Sequence, residues 1–332
     1  MRKQYHLSLP TYAKRSTAIA QIPNFWPLVL EQAPQEIDQY IQPQDSALFA
    51  EALTGLTVSR PEIEPSPTEQ GKHQGNPRSL RFRFEFAENE WFEDQVLEKT
   101  FWYRRARDGW TGLVSEPVDI KWKAGKDLTQ GLLGKAVKLF EARKAKGNML
   151  DRGLGEFAVL RKAMDSANPA TESFFTWFGF VSSRRWVGVE ESEAAMGEHL
   201  ERRERRKRGE VVEEPAPEVL AKAAVEAEEE AELEEDDGAL VELNPEGDEL
   251  AIALADDVWP GAIKYFLQAQ EMDDDEMSDG GFEVEGEISD LEGDDGEGEP
   301  VDIRALVGKG PKGGKGRSAS GSGQPPSKKM KK

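Results

Sequence analysis

The sequence predicts an α+β fold. Three observations carry this reading: one run of strict alternation, one hairpin signal, and helix-spaced apolar residues on either side of them. Leu80, Phe82, Phe84 and Phe86 alternate with Arg81, Arg83 and Glu85, the period-two pattern of a strand with one buried face. Asp108-Gly109 marks a hairpin further on. Helical spacing dominates before residue 54 and after residue 128, and no β-α-β alternation occurs. The strands therefore form an antiparallel sheet flanked by helices.

Taken in order, Tyr12 to Gln21 is helix-compatible, and Pro10 limits how far back that helix runs. Pro23 sits early in the next helix, where its missing N–H does least harm, and Phe25, Trp26, Val29, Leu30 and Ala33 recur at helical spacing. A further helix covers Ser46 to Thr54. Leu56-Thr57-Val58 is a short strand, and a Pro/Gly-rich loop follows from Pro61 to Pro77. After the alternating strand and a turn at Glu88-Asn89-Glu90, a second strand reads Leu97 to Tyr103 and a third Val118 to Trp122. Leu132, Leu133, Ala136, Val137 and Phe140 form one helical stripe, and Phe157, Leu160 and Met164 another. Thr171 and Glu172 open an aromatic helix with Phe174, Phe175, Trp177 and Phe178. Residues 188–246 read as a charged insertion, helical or disordered. Order returns with Asp248, Leu250, Ile252 and Leu254, then Trp259, Ile263, Tyr265, Phe266 and Leu267.

Charge divides the chain. Residues 1–190 carry a net +2, residues 191–270 a net −16 and residues 271–332 a net −7. Glu226 to Asp237 holds 9 carboxylates and no Lys or Arg, and Glu271 to Pro300 holds 15 with none. Such blocks repel themselves and serve as interaction tails; solvation alone is the plainer reading. Two basic knots stand against them. One is Arg202 to Arg208, which suits an import signal, a DNA contact or an internal partner for the acidic runs. The other is Lys328, Lys329, Lys331 and Lys332, after a Gly/Ser/Pro-rich stretch, which suits a nuclear import signal. With 37% hydrophobic residues, against roughly 45–50% in globular chains, part of the chain is expected to stay disordered.

Several chemistries are excluded. There is no cysteine, hence no disulfide, cysteine zinc site or thiol nucleophile. His6, His73 and His199 lie far apart, outside any metal or catalytic motif. No phosphate-cradling, nucleophile-elbow or zinc-protease motif occurs, so no enzyme and no cofactor is expected. No apolar run approaches the ~20 residues that span a bilayer, and no signal-peptide core is present. The sequence reads as soluble and intracellular, with no membrane partner.

Five ordered segments carry a family resemblance. They are Ile22-Pro23-Asn24-Phe25-Trp26; Phe84-Glu85-Phe86 leading through Asn89-Glu90-Trp91-Phe92 to Leu97-Glu98-Lys99; Ile120-Lys121-Trp122-Lys123-Ala124-Gly125-Lys126-Asp127-Leu128-Thr129; Glu172-Ser173-Phe174-Phe175-Thr176-Trp177-Phe178; and Asp256-Asp257-Val258-Trp259-Pro260 running into Tyr265-Phe266-Leu267. The chain resembles the nucleosome assembly protein family, within it the SET, or template-activating-factor, branch. The resemblance implies a shortened N-terminal dimerisation-type helix over residues 1–22 and an earmuff domain over 23–187, closed by 247–270. A disordered acidic tail with a Gly/Lys-rich basic end would occupy 271–332. It implies a nuclear histone chaperone, one that shuttles with the cytoplasm, that binds core histones (the H3–H4 pair and the other core-histone dimer) and assists nucleosome assembly on chromatin. It also implies a homodimer. The alternative it allows is an acidic regulator that inhibits a phosphatase or recruits a histone acetyltransferase.

On this resemblance Asp248 and Glu249 are the first histone-binding candidates, followed by Asp256 and Asp257. The tail adds Asp273, Asp274, Asp275, Glu276, Asp294 and Asp295. Asp248 is equally a good N-cap residue for the helix that follows. The aromatic residues of the five segments are read as core.

Overall fold

A computed structural model of the chain describes residues 1–63, 75–167, 172–182, 185–210 and 242–279, with side chains to Glu271. The first helix, α1 (Arg2–Ile19), runs straight through Pro10, where the sequence predicts an interruption. Pro10 removes one backbone donor, but the residue is exposed, and the turns after it are anchored by Tyr12, Arg15 and Ile19.

Next, α2 (Phe25–Glu31) begins after Asn24, which adopts the left-handed conformation at φ 55°. Pro27, not Pro23, therefore occupies the first turn. Phe25 through Leu30 are all buried. The short α3 (Gln35–Asp38) leads to α4 (Pro43–Ala52), which opens on a capping box between Gln42 and Asp45 with Pro43 in the first turn.

Four strands follow: β1 (Leu53–Ser59), β2 (Leu80–Phe86), β3 (Val96–Arg105) and β4 (Thr111–Ser115). They form one antiparallel sheet in sequence order. Phe84 pairs with Leu56 on one side and Leu97 on the other, and Leu80, Phe82, Phe84 and Phe86 all face inward as their alternation requires. The third strand differs from expectation. Val118–Trp122 is not a strand; only an isolated bridge joins Trp122 to Phe92. The Asp108-Gly109 turn, with Gly109 at φ 101°, returns the chain at once into β4, and Pro117 stands just beyond its end.

Beneath the sheet lies a 3-10 helix, Phe174–Gly179, with all six residues buried. An α-helix opened by Thr171 and Glu172 was expected. Instead Ser173 caps the element, its hydroxyl accepting the Phe175 N–H at 3.2 Å. Trp177 meets Phe82 at 5.2 Å and Phe101 at 5.1 Å between ring centroids. Beside this core, α5 (Leu132–Lys146) and α6 (Gly155–Ser166) bury a second cluster of Leu132, Leu139, Phe157 and Leu160, which Leu243 completes. Thus the segment before Asp248, assigned to the insertion by its charge, contributes to packing.

Within the same charged stretch, α7 (Val189–Lys207) buries Ser192 and Ala195 against β3. The chain closes with α8 (Gly247–Ala253), a π-helical turn (Leu254–Val258) and α9 (Trp259–Asp279). Trp259 stacks on Trp26 at 5.5 Å and Phe266 on Phe25 at 4.9 Å, which seats α9 on α2. Ile252, Ile263 and Leu267, among the residues with which order was expected to return, are about half exposed. Helix α9 also carries the chain past residue 271, where a disordered tail was expected, to Asp279.

Candidate functional site

The acidic candidates of the closing segment are positioned by its close approach to the core. Gly247 rests on Phe180, where a Cβ would meet the ring at 2.7 Å, and its carbonyl accepts the Trp177 indole N–H at 2.7 Å. This fixes where α8 starts and turns the first-turn carboxylates outward. Asp248 is half-buried and Glu249 exposed. Asp248 is not the N-cap: Glu246 occupies that position and makes no side-chain cap bond. Both acids still complement the positive end of the helix, worth ~0.3–1 kcal/mol each for exposed groups.

The π-helical turn separates the next pair. Asp256 is 3.2 Å from the Arg60 guanidinium, so its charge is partly committed within the fold. Asp257 accepts the Tyr265 hydroxyl at 2.8 Å. Burial, then Asp257 and Glu36, push the Tyr265 phenol up to about 12. Tyr40 donates to Glu246 at 2.7 Å, and burial, then Glu246 and Glu249, push its phenol up as well. Glu246 and Glu249 thus act on one phenol, and Asp257 and Glu36 of α3 on the other.

Glu36 and Glu246 were missed by sequence reasoning. Glu36 stands far from the other acids in the chain, and only the packing of α3 on α8 brings it to them. Glu246 was readable as a neighbour of Asp248. Asp273, Asp274, Asp275 and Glu276 lie on the last turns of α9, beyond the described side chains. Asp294, Asp295, Lys328, Lys329, Lys331 and Lys332 lie outside the described residues, as do the acidic runs Glu226 to Asp237 and 280–300. Among the described residues no acid or histidine cluster has metal-binding geometry, and no helix is long and apolar enough to cross a membrane.

Antiparallel sheet, aromatic core and acidic closing helix define an α+β scaffold with a negatively charged helical face. The chain belongs to the nucleosome assembly protein (NAP) family, whose model matches residues 8–269. It is 35% identical over 138 residues to a nucleosome assembly protein of Schizosaccharomyces pombe, covering 39% of this chain and 52% of that one. It is 31% identical over 138 residues to Protein SET of Drosophila melanogaster, covering 40% and 45%. The chain therefore spans about half the length of these curated relatives. The crystal structure of the Vps75 histone chaperone aligns over 81% of this chain and 88% of its own, at 21% identity and a TM-score of 0.44.

Proposed function

We propose that this protein is a histone chaperone. It binds core histones, the H3–H4 pair first, and assists nucleosome assembly in the nucleus as a homodimer. Membership of the nucleosome assembly protein family supports the reading. The single observation that carries it at residue level is that α3, α8 and the π-helical turn pack together and each presents carboxylates there, with Glu246 2.7 Å from the Tyr40 hydroxyl and Asp257 2.8 Å from that of Tyr265. That fixed patch, with Asp248 beside it, supplies geometry. The acidic runs supply further counter-charge.

Histones are polycations, and each exposed ion pair contributes only ~0.2–1 kcal/mol. Many tethered pairs act together through effective concentration. Affinity therefore falls as salt shortens the Debye length from ~10 Å at 0.1 M to ~3 Å at 1 M. The lysines at 328, 329, 331 and 332 would direct nuclear import.

The test is core-histone binding by the full chain near 0.15 M salt, alongside a variant carrying Asp248→Lys and Glu249→Lys. The expected result is that the full chain binds and that the variant binds several-fold more weakly with an unchanged circular dichroism spectrum. A full chain that does not bind overturns the function. A variant that binds like the parent removes these two residues from the site.

A further inference from the structure

Helix α7 has two dissimilar halves. The first packs on β3 through Ser192 and Ala195, and the Ser192 hydroxyl accepts the Arg105 N–H at 3.0 Å. Continued by helical steps of three and four, the same face presents His199, Arg202, Arg203 and Arg206. The end of the sheet brings more positive charge to it. Arg107 lies 4.0 Å from Glu198, which also takes Arg202 at 3.1 Å. Burial, and then Arg105, Arg202, Arg203 and Arg206, hold the His199 imidazole below its ordinary pKa.

These cations come from two elements and crowd one imidazole. Glu204 and Glu210 are engaged further along, with Lys207 at 2.7 Å and with Arg205 and Arg208 at 3.0 and 3.3 Å. The helix dipole accounts for basic residues in the last turn. It does not account for Arg105, Arg107, Arg202 and Arg203, which lie outside that turn, and like charges at such spacing destabilise. An anion lying across the face would offset that repulsion.

We propose that this arginine face of α7 is the docking site for the chain's own acidic run, Glu226 to Asp237. The run offers 9 carboxylates and no Lys or Arg. It starts 18 residues after Arg208, a span that reaches up to about 60 Å when extended. Its far end is tied back to the fold, because Glu242, five residues beyond Asp237, accepts the Val181 N–H at 2.5 Å. A segment leashed at both ends meets α7 at high effective concentration. An external polyanion has no such tether and faces a chain of net charge −21. A cationic ligand of the run must then displace α7.

The chain has no cysteine, so Leu200→Cys, at an exposed position of α7, and Ala231→Cys, in the middle of the run, give two clean dye sites. Energy transfer between them in the full-length chain, with no histone present, tests the docking independently of the proposed function. Transfer should be high at low salt. It should fall at least twofold at 1 M salt, or when Arg202→Gln, Arg203→Gln and Arg206→Gln are combined, with circular dichroism unchanged. Equal transfer in parent and triple variant overturns the proposal. Transfer seen only between separately labelled chains overturns it in favour of a second copy. Duplex DNA binding that the triple variant loses, with transfer unaffected, overturns it in favour of nucleic acid.

Discussion

Asp45 and Ser173 stand 128 residues apart in sequence and share a 2.5 Å hydrogen bond, the serine hydroxyl donating to Oδ1. The second oxygen, Oδ2, accepts the N–H of Phe174 at 2.7 Å and that of Gln42 at 3.0 Å. One fully buried carboxylate thus caps α4 and fixes the start of the 3-10 helix that fills the core. Asp45→Ala leaves the buried Phe174 N–H and the part-buried Gln42 N–H without their acceptor, at about 1–3 kcal/mol for a buried group. The unfolding free energy should drop by about 3 kcal/mol in urea titration followed by tryptophan fluorescence, and by less for Asp45→Asn, which keeps one acceptor. An alanine variant as stable as the parent would show that the two caps are dispensable.

Lys99 is the opposite charge in the same core. Its ammonium donates to the carbonyls of Glu116 at 2.8 Å, Phe178 at 2.9 Å and Phe180 at 2.7 Å, and the side chain is fully buried. Three acceptors match the three donors of an ammonium group. Burial pulls the Lys99 pKa down, and Glu242 and Glu116 oppose that shift. Lys99→Met fills similar space but strands the Phe180 carbonyl, while those of Phe178 and Glu116 keep the Val118 N–H and the Ser115 hydroxyl. Chemical denaturation should register a loss of about 1–3 kcal/mol, and a neutral outcome would mean that the chain behind the sheet re-pairs without the lysine.

Much of this architecture was legible because it repeats locally. β2 announces itself by alternation, and its inward Phe82 and Phe84 behave as read. β4 does not, since Leu113, Val114 and Ser115 are buried in succession, whereas Val118, Ile120 and Trp122 alternate without forming a strand. The 3-10 helix hides for a similar reason: an element buried on all sides has no polar face to set its period. Asp45 and Lys99 look like surface charges until chain distant from them supplies their partners. The acidic surface divides the same way. Asp248 and Glu249 came from the family motif, while Glu36 required the packing of α3.

Glu242 gives the fold a pH dependence. Burial pushes its carboxyl up to about 8, against the pull of the Val181 N–H, Lys99 and Arg143. An unfolded glutamate titrates near 4.3. Between these values the folded chain keeps a proton that the unfolded chain has released. This contribution to stability is therefore complete below about 4.3 and lost as pH rises through about 8. Glu242→Gln cannot titrate and should lack that slope. Unfolding free energies of parent and variant at about pH 5, 6.5 and 8 would reveal it as a larger decline in the parent. Parallel declines would show that Glu242 titrates normally.

Arg15 decides how α1 is held beyond Pro10. Its guanidinium lies 4.2 Å from the Trp259 ring centroid and 4.7 Å from that of Tyr12, and it donates to the Trp259 carbonyl. The residue is 8% exposed, and its Nε and Nη2 find no acceptor among the described residues. That leaves stacking as its main attachment, worth up to ~2 kcal/mol when desolvated. Arg15→Ala should lower amide-exchange protection across residues 11–19 about tenfold or more, while β2 and β3 stay protected; each tenfold corresponds to about 1.4 kcal/mol. Arg15→Lys should recover less than half of that loss, because a point charge cannot stack as a planar group does. Arg15→Met separates the two origins of the effect. Full recovery by methionine would mean that α1 is held by buried volume alone, and partial recovery that the cation between Tyr12 and Trp259 contributes its own share.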